Sequence, residues 1–139
     1  MDNDMRTRIL RSFRAQNMMT TLGAEMTEIA PGAVTIEAPI LDIATQQQGY
    51  GHAGLTFSIG DSAGGYAALT LMPPDHEVVT AEIKINLLAP AVGERLIARG
   101  RVIRPGKRLS IITSEVHARQ GDTTTLVAIL QGTMVPVSL

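Results

Sequence analysis

Residues 46–72 read QQQGYGHAGLTFSIGDSAGGYAALTLM, and Asp61 is the only charged side chain in that run. A carboxylate inside an apolar helix loses hydration, which raises its pKa and suits it to act as a base or nucleophile. Within the run, His52-Ala53-Gly54 leads into the helix. At a helix N-terminus the first N–H groups lack intrahelical acceptors and carry partial positive charge. Such amides, at Ala53 and Gly54, suit a carbonyl oxygen that gains charge during attack. Base and oxyanion donors are the two halves of acyl-group hydrolysis. The helix also carries Gly60, Gly64 and Gly65, each costing roughly 1 kcal/mol of propensity relative to alanine. Residues that oppose stability in this way mark the segment as functional.

The elements that must hold these residues follow from period and punctuation. Met5, Ile9 and Phe13 recur every four residues among Arg6, Arg8, Arg11 and Arg14, which predicts an amphipathic N-terminal helix over 1–20 packing on its own domain. Leu22–Ala30 and Ala33–Ala38 read as strands about the Pro31-Gly32 turn, and Pro39–Gly51 as a loop. The main helix is expected over 54–72, stopped by Pro73-Pro74. Val79–Leu88 alternates apolar and polar residues, and Arg95–Ile103, Leu109–Ala118 and Thr124–Val135 follow with short turns between them. Four strands joined by short connections predict an antiparallel meander. Its apolar face needs a cover, and the main helix is the element long enough. A sheet around one central helix is an α+β hotdog arrangement.

Composition sets the outer bounds. The 139 residues, 45% hydrophobic, suit one domain spanning 1–139. A net charge of −1 and 3% aromatics give no basis for nucleic-acid binding. Cysteine is absent, and His52, His76 and His117 have no metal-ligand spacing, so neither a metal nor another cofactor is expected. No segment has the ~18 apolar residues of a membrane span, and a cytoplasmic protein without membrane partners is expected.

Several of these residues together resemble a known family. Gln46, His52-Ala53-Gly54 six residues on, and Asp61 nine residues after the histidine are similar to the pattern of the phenylacetate-degradation type (PaaI-like) hotdog thioesterases. The likeness continues through Thr80–Ala91, TAEIKINLLAPA, and the turn Gly106-Lys107-Arg108. The resemblance implies hydrolysis of acyl-CoA thioesters at a subunit interface. It implies Asp61 as nucleophile or general base, the Ala53 N–H as the group polarising the carbonyl, and Gln46 and Thr80 as further site residues. Ala53 stands where the family has glycine, and Gly65 where some relatives carry a hydroxyl.

Chemistry narrows some roles and leaves others open. Gln46 either orients the carbonyl or ties its loop together, with Gln47 and Gln48 as neighbours of equal chemistry. His52 is expected to position the loop by hydrogen bonding to backbone. Lys107 and Arg108 form a basic turn suited to CoA phosphates, and Gly54 lines the same substrate path. On a helix rising ~1.5 Å per residue, Ala53 and Asp61 lie roughly 12 Å apart, too far to share one carbonyl. A homodimer is therefore expected, with Gly60, Gly64 and Ala68 forming a smooth face for two antiparallel helices. The resemblance also allows a dimer of dimers. The competing functions are an acyl-CoA binding or sensing protein, which has no need of Asp61, and an acyl-thioester hydratase or dehydratase, which needs an acid–histidine pair.

Overall fold

The computed structural model describes residues 1–139. Helices α1 (Asn3–Arg14) and α2 (Asn17–Thr21) precede strands β1 (Glu25–Ala30) and β2 (Ala33–Pro39). A 3-10 turn at Asp42–Ala44 sits in the loop before helix α3 (Ala53–Leu69). Strands β3 (His76–Leu87), β4 (Arg95–Arg104), β5 (Ser110–Gln120) and β6 (Thr123–Ser138) complete the chain. All strands pair antiparallel in one sheet of order β1-β2-β4-β5-β6-β3. Helix α3 packs against β2 through β6. Five strands at ~4.8 Å span about 19 Å, wider than the ~10 Å body of a helix, so the sheet curls around α3 as the hotdog fold requires.

Two expectations about elements need correction. The N-terminal segment is two helices, not one over 1–20. The break falls at Gln16, whose backbone is extended (φ −80°, ψ 102°) and whose side chain reaches across to Tyr66. The four C-terminal strands are not a simple meander either. β3 crosses to the far edge and pairs with β6, while β4 pairs with β2 and β5. The seven residues 88–94, with Pro90 and a positive-φ Gly93 (φ 143°), bridge the end of the sheet instead of closing a hairpin. Leu88 N–H donates to Val127 C=O and Glu94 N–H to Arg119 C=O on the way.

The core is one cluster of 26 buried residues, with Ile59, Leu69, Leu96, Ile112 and Met134 fully enclosed. Ile9 and Phe13 of α1 join it, while Arg6, Arg11 and Arg14 stay exposed. Two glycines of α3, Gly60 and Gly64, serve this packing. A Cβ on Gly60 would lie 2.9 Å from Leu130 Cδ1, and one on Gly64 2.5 Å from Ile112 Cδ1. Gly100 of β4 backs directly onto the Ala63–Gly64 peptide. The expected helix–helix face at Gly60 and Gly64 is thus the face α3 turns to its own sheet, and Ala68 is likewise fully buried. Small residues permit close approach to any surface, and here that surface is β4–β6.

Candidate active site

At its start, α3 is fixed by His52, the cap residue, whose Nδ1 accepts from Gly54 N–H at 2.7 Å. With Nδ1 accepting, the ring proton lies on Nε2. The His52 N–H itself donates to Ala44 C=O at 2.8 Å, so the preceding loop is stitched to the helix start. Gly54 therefore cannot offer its N–H to a substrate, correcting its expected role. The Ala53 N–H has no acceptor within the chain. It is the one free backbone N–H at this helix end that lines a cleft of about 490 Å³. Gln46, Thr56, Leu87, Leu88 and Ala91 share that cleft.

Gln46 is occupied by its own loop. Its Oε1 accepts from the N–H groups of Gln48 (2.5 Å) and Tyr50 (3.3 Å), and its Nε2 donates to Gln48 Oε1 at 3.2 Å. One amide proton is left to face the cleft. Gln47 and Gln48 are exposed, and Gln48 also lines the cleft.

Asp61 lies two turns along α3 and opens into a different space. This chamber of about 180 Å³ is bordered by Asp61, Gly65, Tyr66, Glu77 and Thr80, with Ser12 and Gln16 of the N-terminal segment at its end. Thr80 donates to Asp61 Oδ1 at 2.7 Å. Burial raises the Asp61 pKa above its ordinary 3.8, and the Thr80 hydrogen bond offsets part of that rise. At neutral pH the result is a carboxylate held poorly solvated and oriented by one donor, the condition of a good base.

The rest of the chamber was illegible in the sequence. The Tyr66 hydroxyl lies 3.0 Å from Ser12 Oγ and accepts from Gln16 Nε2 at 2.7 Å. Its pKa rises chiefly through burial, the two hydrogen bonds lowering it and the nearby Glu77 charge raising it. Tyr66 belongs to the core cluster, and the partners of its hydroxyl lie 50 and 54 positions away in sequence.

The structure therefore brings Asp61 to Thr80, and Gln46 to His52 and Ala53, but does not join the two groups in one chain. Lys107 and Arg108 join neither. They are exposed at the β4–β5 turn, and Lys107 borders a depression beside Leu71 and His76, beyond the C-terminal end of α3. An acid–histidine pair does exist, Asp75–His76 at 2.8 Å. Its Asp75 side chain is 80% exposed and the pair lies outside both spaces, so it lacks the desolvation that hydratase chemistry needs. No helix is long and apolar enough to cross a membrane.

Comparison with known proteins agrees with the fold. The thioesterase superfamily model matches residues 48–125, from the helix-capping loop through β5 and into the start of β6. A thioesterase family protein from Silicibacter pomeroyi superposes with a TM-score of 0.95 at 36% identity, over 97% of this chain and 99% of the other. The PaaI protein of the E. coli phenylacetic acid degradation operon superposes at 0.86 over 97% and 94%, with 18% identity, a likeness of fold. A candidate esterase from Saccharolobus solfataricus is 32% identical over 111 residues, which are 80% of this chain and 72% of that protein.

Proposed function

This chain belongs to the thioesterase superfamily as a PaaI-like hotdog thioester hydrolase, and from that premise we propose that it cleaves an acyl-CoA at a site shared by two subunits. Asp61 and Thr80 come from one chain, the Ala53 N–H and the Gln46 loop from its partner. The observation that carries this reading is the division of the site residues between two separate spaces, one holding the carboxylate and the other the free donor.

The unpaired edge of β3 supports the dimer. It is a strand of 12 residues that pairs only with β6. Val79 and Leu87 on it, and Leu88 just beyond, are 47%, 56% and 54% exposed. Native sheets normally blunt an edge of this length and apolarity unless something pairs with it. Antiparallel pairing of β3 with a second β3, centred near Ile83 and Lys84, sets Thr80 across from the partner's Leu87. Leu87 lines the Ala53 cleft, so this register carries each Asp61 toward the other chain's free N–H. The two sites are then equivalent by the two-fold axis.

In the reaction, the thioester carbonyl oxygen accepts from Ala53 N–H, which stabilises the negative charge that develops on attack. Two routes begin at Asp61. As base, it removes a proton from water while the water oxygen bonds to the carbonyl carbon. As nucleophile, it forms an acyl anhydride that water then opens. In both, the carbon–sulfur bond breaks and the CoA sulfur takes up a proton. Lys107 and Arg108 of a neighbouring subunit are the candidate contacts for the CoA phosphates.

Free-thiol release from a panel of acyl-CoAs, with wild type beside Asp61→Asn, tests this function. Turnover by the wild type with a loss of ~10²-fold or more in the variant is the expected result. Turnover that survives the substitution contradicts the role of Asp61. Labelled solvent oxygen appearing in Asp61 within one turnover identifies the nucleophilic route, with water opening the anhydride at the Asp61 carbonyl.

A further inference from the structure

The chamber beside Asp61 has a far wall with chemistry of its own. Tyr66 Oη is held between Ser12 Oγ and Gln16 Nε2. Oε1 of Gln16 and its second amide proton have no partner within the chain, although Gln16 is half-buried and lines the chamber. Ser12 and Gln16 lie outside the matched segment 48–125. Two of the three wall residues are therefore supplied by the N-terminal segment, and Tyr66 by the part of the chain that carries the superfamily pattern.

The space beside Asp61 is small and mostly polar. At about 180 Å³ the chamber holds roughly six water volumes of ~30 Å³, and a cavity of ~150 Å³ is enough for one benzene ring. The chamber's lining departs from that of an alkyl pocket, since Ser12, Gln16, Asp61, Ser62, Glu77 and Thr80 all border it. An apolar chain end placed against Gln16 would strip water from an amide and give nothing in return, a loss of about 1–3 kcal/mol.

Taking Asp61 as the group beside the scissile carbonyl, we propose that Gln16, locked in place by Tyr66 and Ser12, is a specificity-determining residue that selects short acyl groups ending in a hydrogen-bonding group. The break between α1 and α2 has a function on this reading. It turns the Gln16 side chain out of the helix register and onto Tyr66, so its amide faces the acyl tip. Gln16 Oε1 receives a terminal hydroxyl, and its free N–H serves a terminal carbonyl or ether. Glu77 and Asp61 at the same chamber disfavour an acyl group that ends in a carboxylate.

The test compares two isosteric substrates, hexanoyl-CoA and ω-hydroxypentanoyl-CoA, by kcat/KM in the wild type, Gln16→Leu and Gln16→Ala. A ratio between two substrates in the same protein is not moved by partial unfolding, which lowers both alike. The wild type is expected to favour the hydroxylated ester about tenfold, the size of one good hydrogen bond. Gln16→Leu is expected to bring the ratio to one or below, and Gln16→Ala to lower it as well. A wild type that prefers hexanoyl-CoA, or a ratio unmoved by both variants, overturns the role of Gln16 while leaving the hydrolase reading intact. Absence of turnover on every CoA ester overturns both.

Discussion

The two flanks of α3 obey opposite rules. On one, Gly60, Ala63 and Gly64 are sunk into the sheet, and Gly100 rests on the helix backbone itself. Ser114 Oγ adds a buried hydrogen bond to Gly60 C=O at 2.7 Å. On the other, Asp61 and Ser62 are only partly buried, and a Cβ on Gly65 would meet nothing nearer than Met134 Sδ at 3.8 Å. The packed flank holds the helix in close contact with the sheet. The loose flank uses that fixed position to hold a carboxylate where burial works against its charge. Rigidity on one side is what lets the other be chemically unfavourable and still ordered.

Substitutions can break or sharpen this contrast. The largest effect is expected for Asp61→Asn, a fall of ~10³-fold in kcat/KM, or about 4 kcal/mol of barrier. Stability should move the other way. The folded-state pKa of Asp61 is raised, so its protonation stabilises the fold below the unfolded-state value, and that contribution is lost as pH rises through the folded value. At neutral pH the ionised side chain is a cost, and Asn removes it while keeping an acceptor for Thr80. Melting should rise by about 3 °C at pH 7 and show little change at a pH below 3.8. A variant that melts earlier at neutral pH would show that Asp61 supports the fold.

Next in size is Gly100→Ala on the packed flank. Its Cβ would meet helix backbone, which cannot rotate away as a side-chain tip can. A loss of about 3 kcal/mol in denaturant unfolding is expected. Thr80→Val should cost about tenfold in rate. It removes the one hydrogen bond that lowers the Asp61 pKa, so the acid limb of the pH–rate profile should shift upward. An unmoved limb would detach Thr80 from the chemistry. The smallest effect sharpens the contrast most. Gly65→Ala, one residue from Gly64 but on the loose flank, should stabilise the protein by up to about 1 kcal/mol through helix propensity. Equal destabilisation at Gly65 and Gly100 would abolish the distinction between the flanks.

What the sequence disclosed divides along the same lines. The helix α3, its cap and its lone acid are local facts, since no other charge lies in 46–72, although the helix spans Ala53–Leu69 and ends three residues before the expected 72, with Thr70 as its cap. The fold class followed from the order of elements and the family pattern. The direction in which Gly60 and Gly64 face did not, because a stripe of small residues fits a second helix or a sheet equally well. Nor did the place of β3. Its alternation states which residues face inward, not which strand lies beside it, and the seven residues after it are long enough to cross the sheet end. Gln16 and Ser12 were invisible for a third reason. Their partner Tyr66 lies 50 and 54 residues away, and no periodicity reports a contact at that range.

Complementation between two inactive variants tests the shared site most directly. Asp61→Asn removes the carboxylate half. Ala53→Pro removes the N–H half with little harm to the helix, because proline is favoured at the first helical position. His52, with φ −64° and ψ 144°, already has the extended backbone required before a proline. Each variant alone should be a nearly inactive dimer. Mixed and reassembled in equal amounts, half the dimers carry one chain of each kind, and each of these has one intact site. Recovery of about a quarter of wild-type activity is the expected result. If the mixture, shown to contain mixed dimers, stays as inactive as its components, Asp61 and Ala53 act within a single chain and the shared site is wrong.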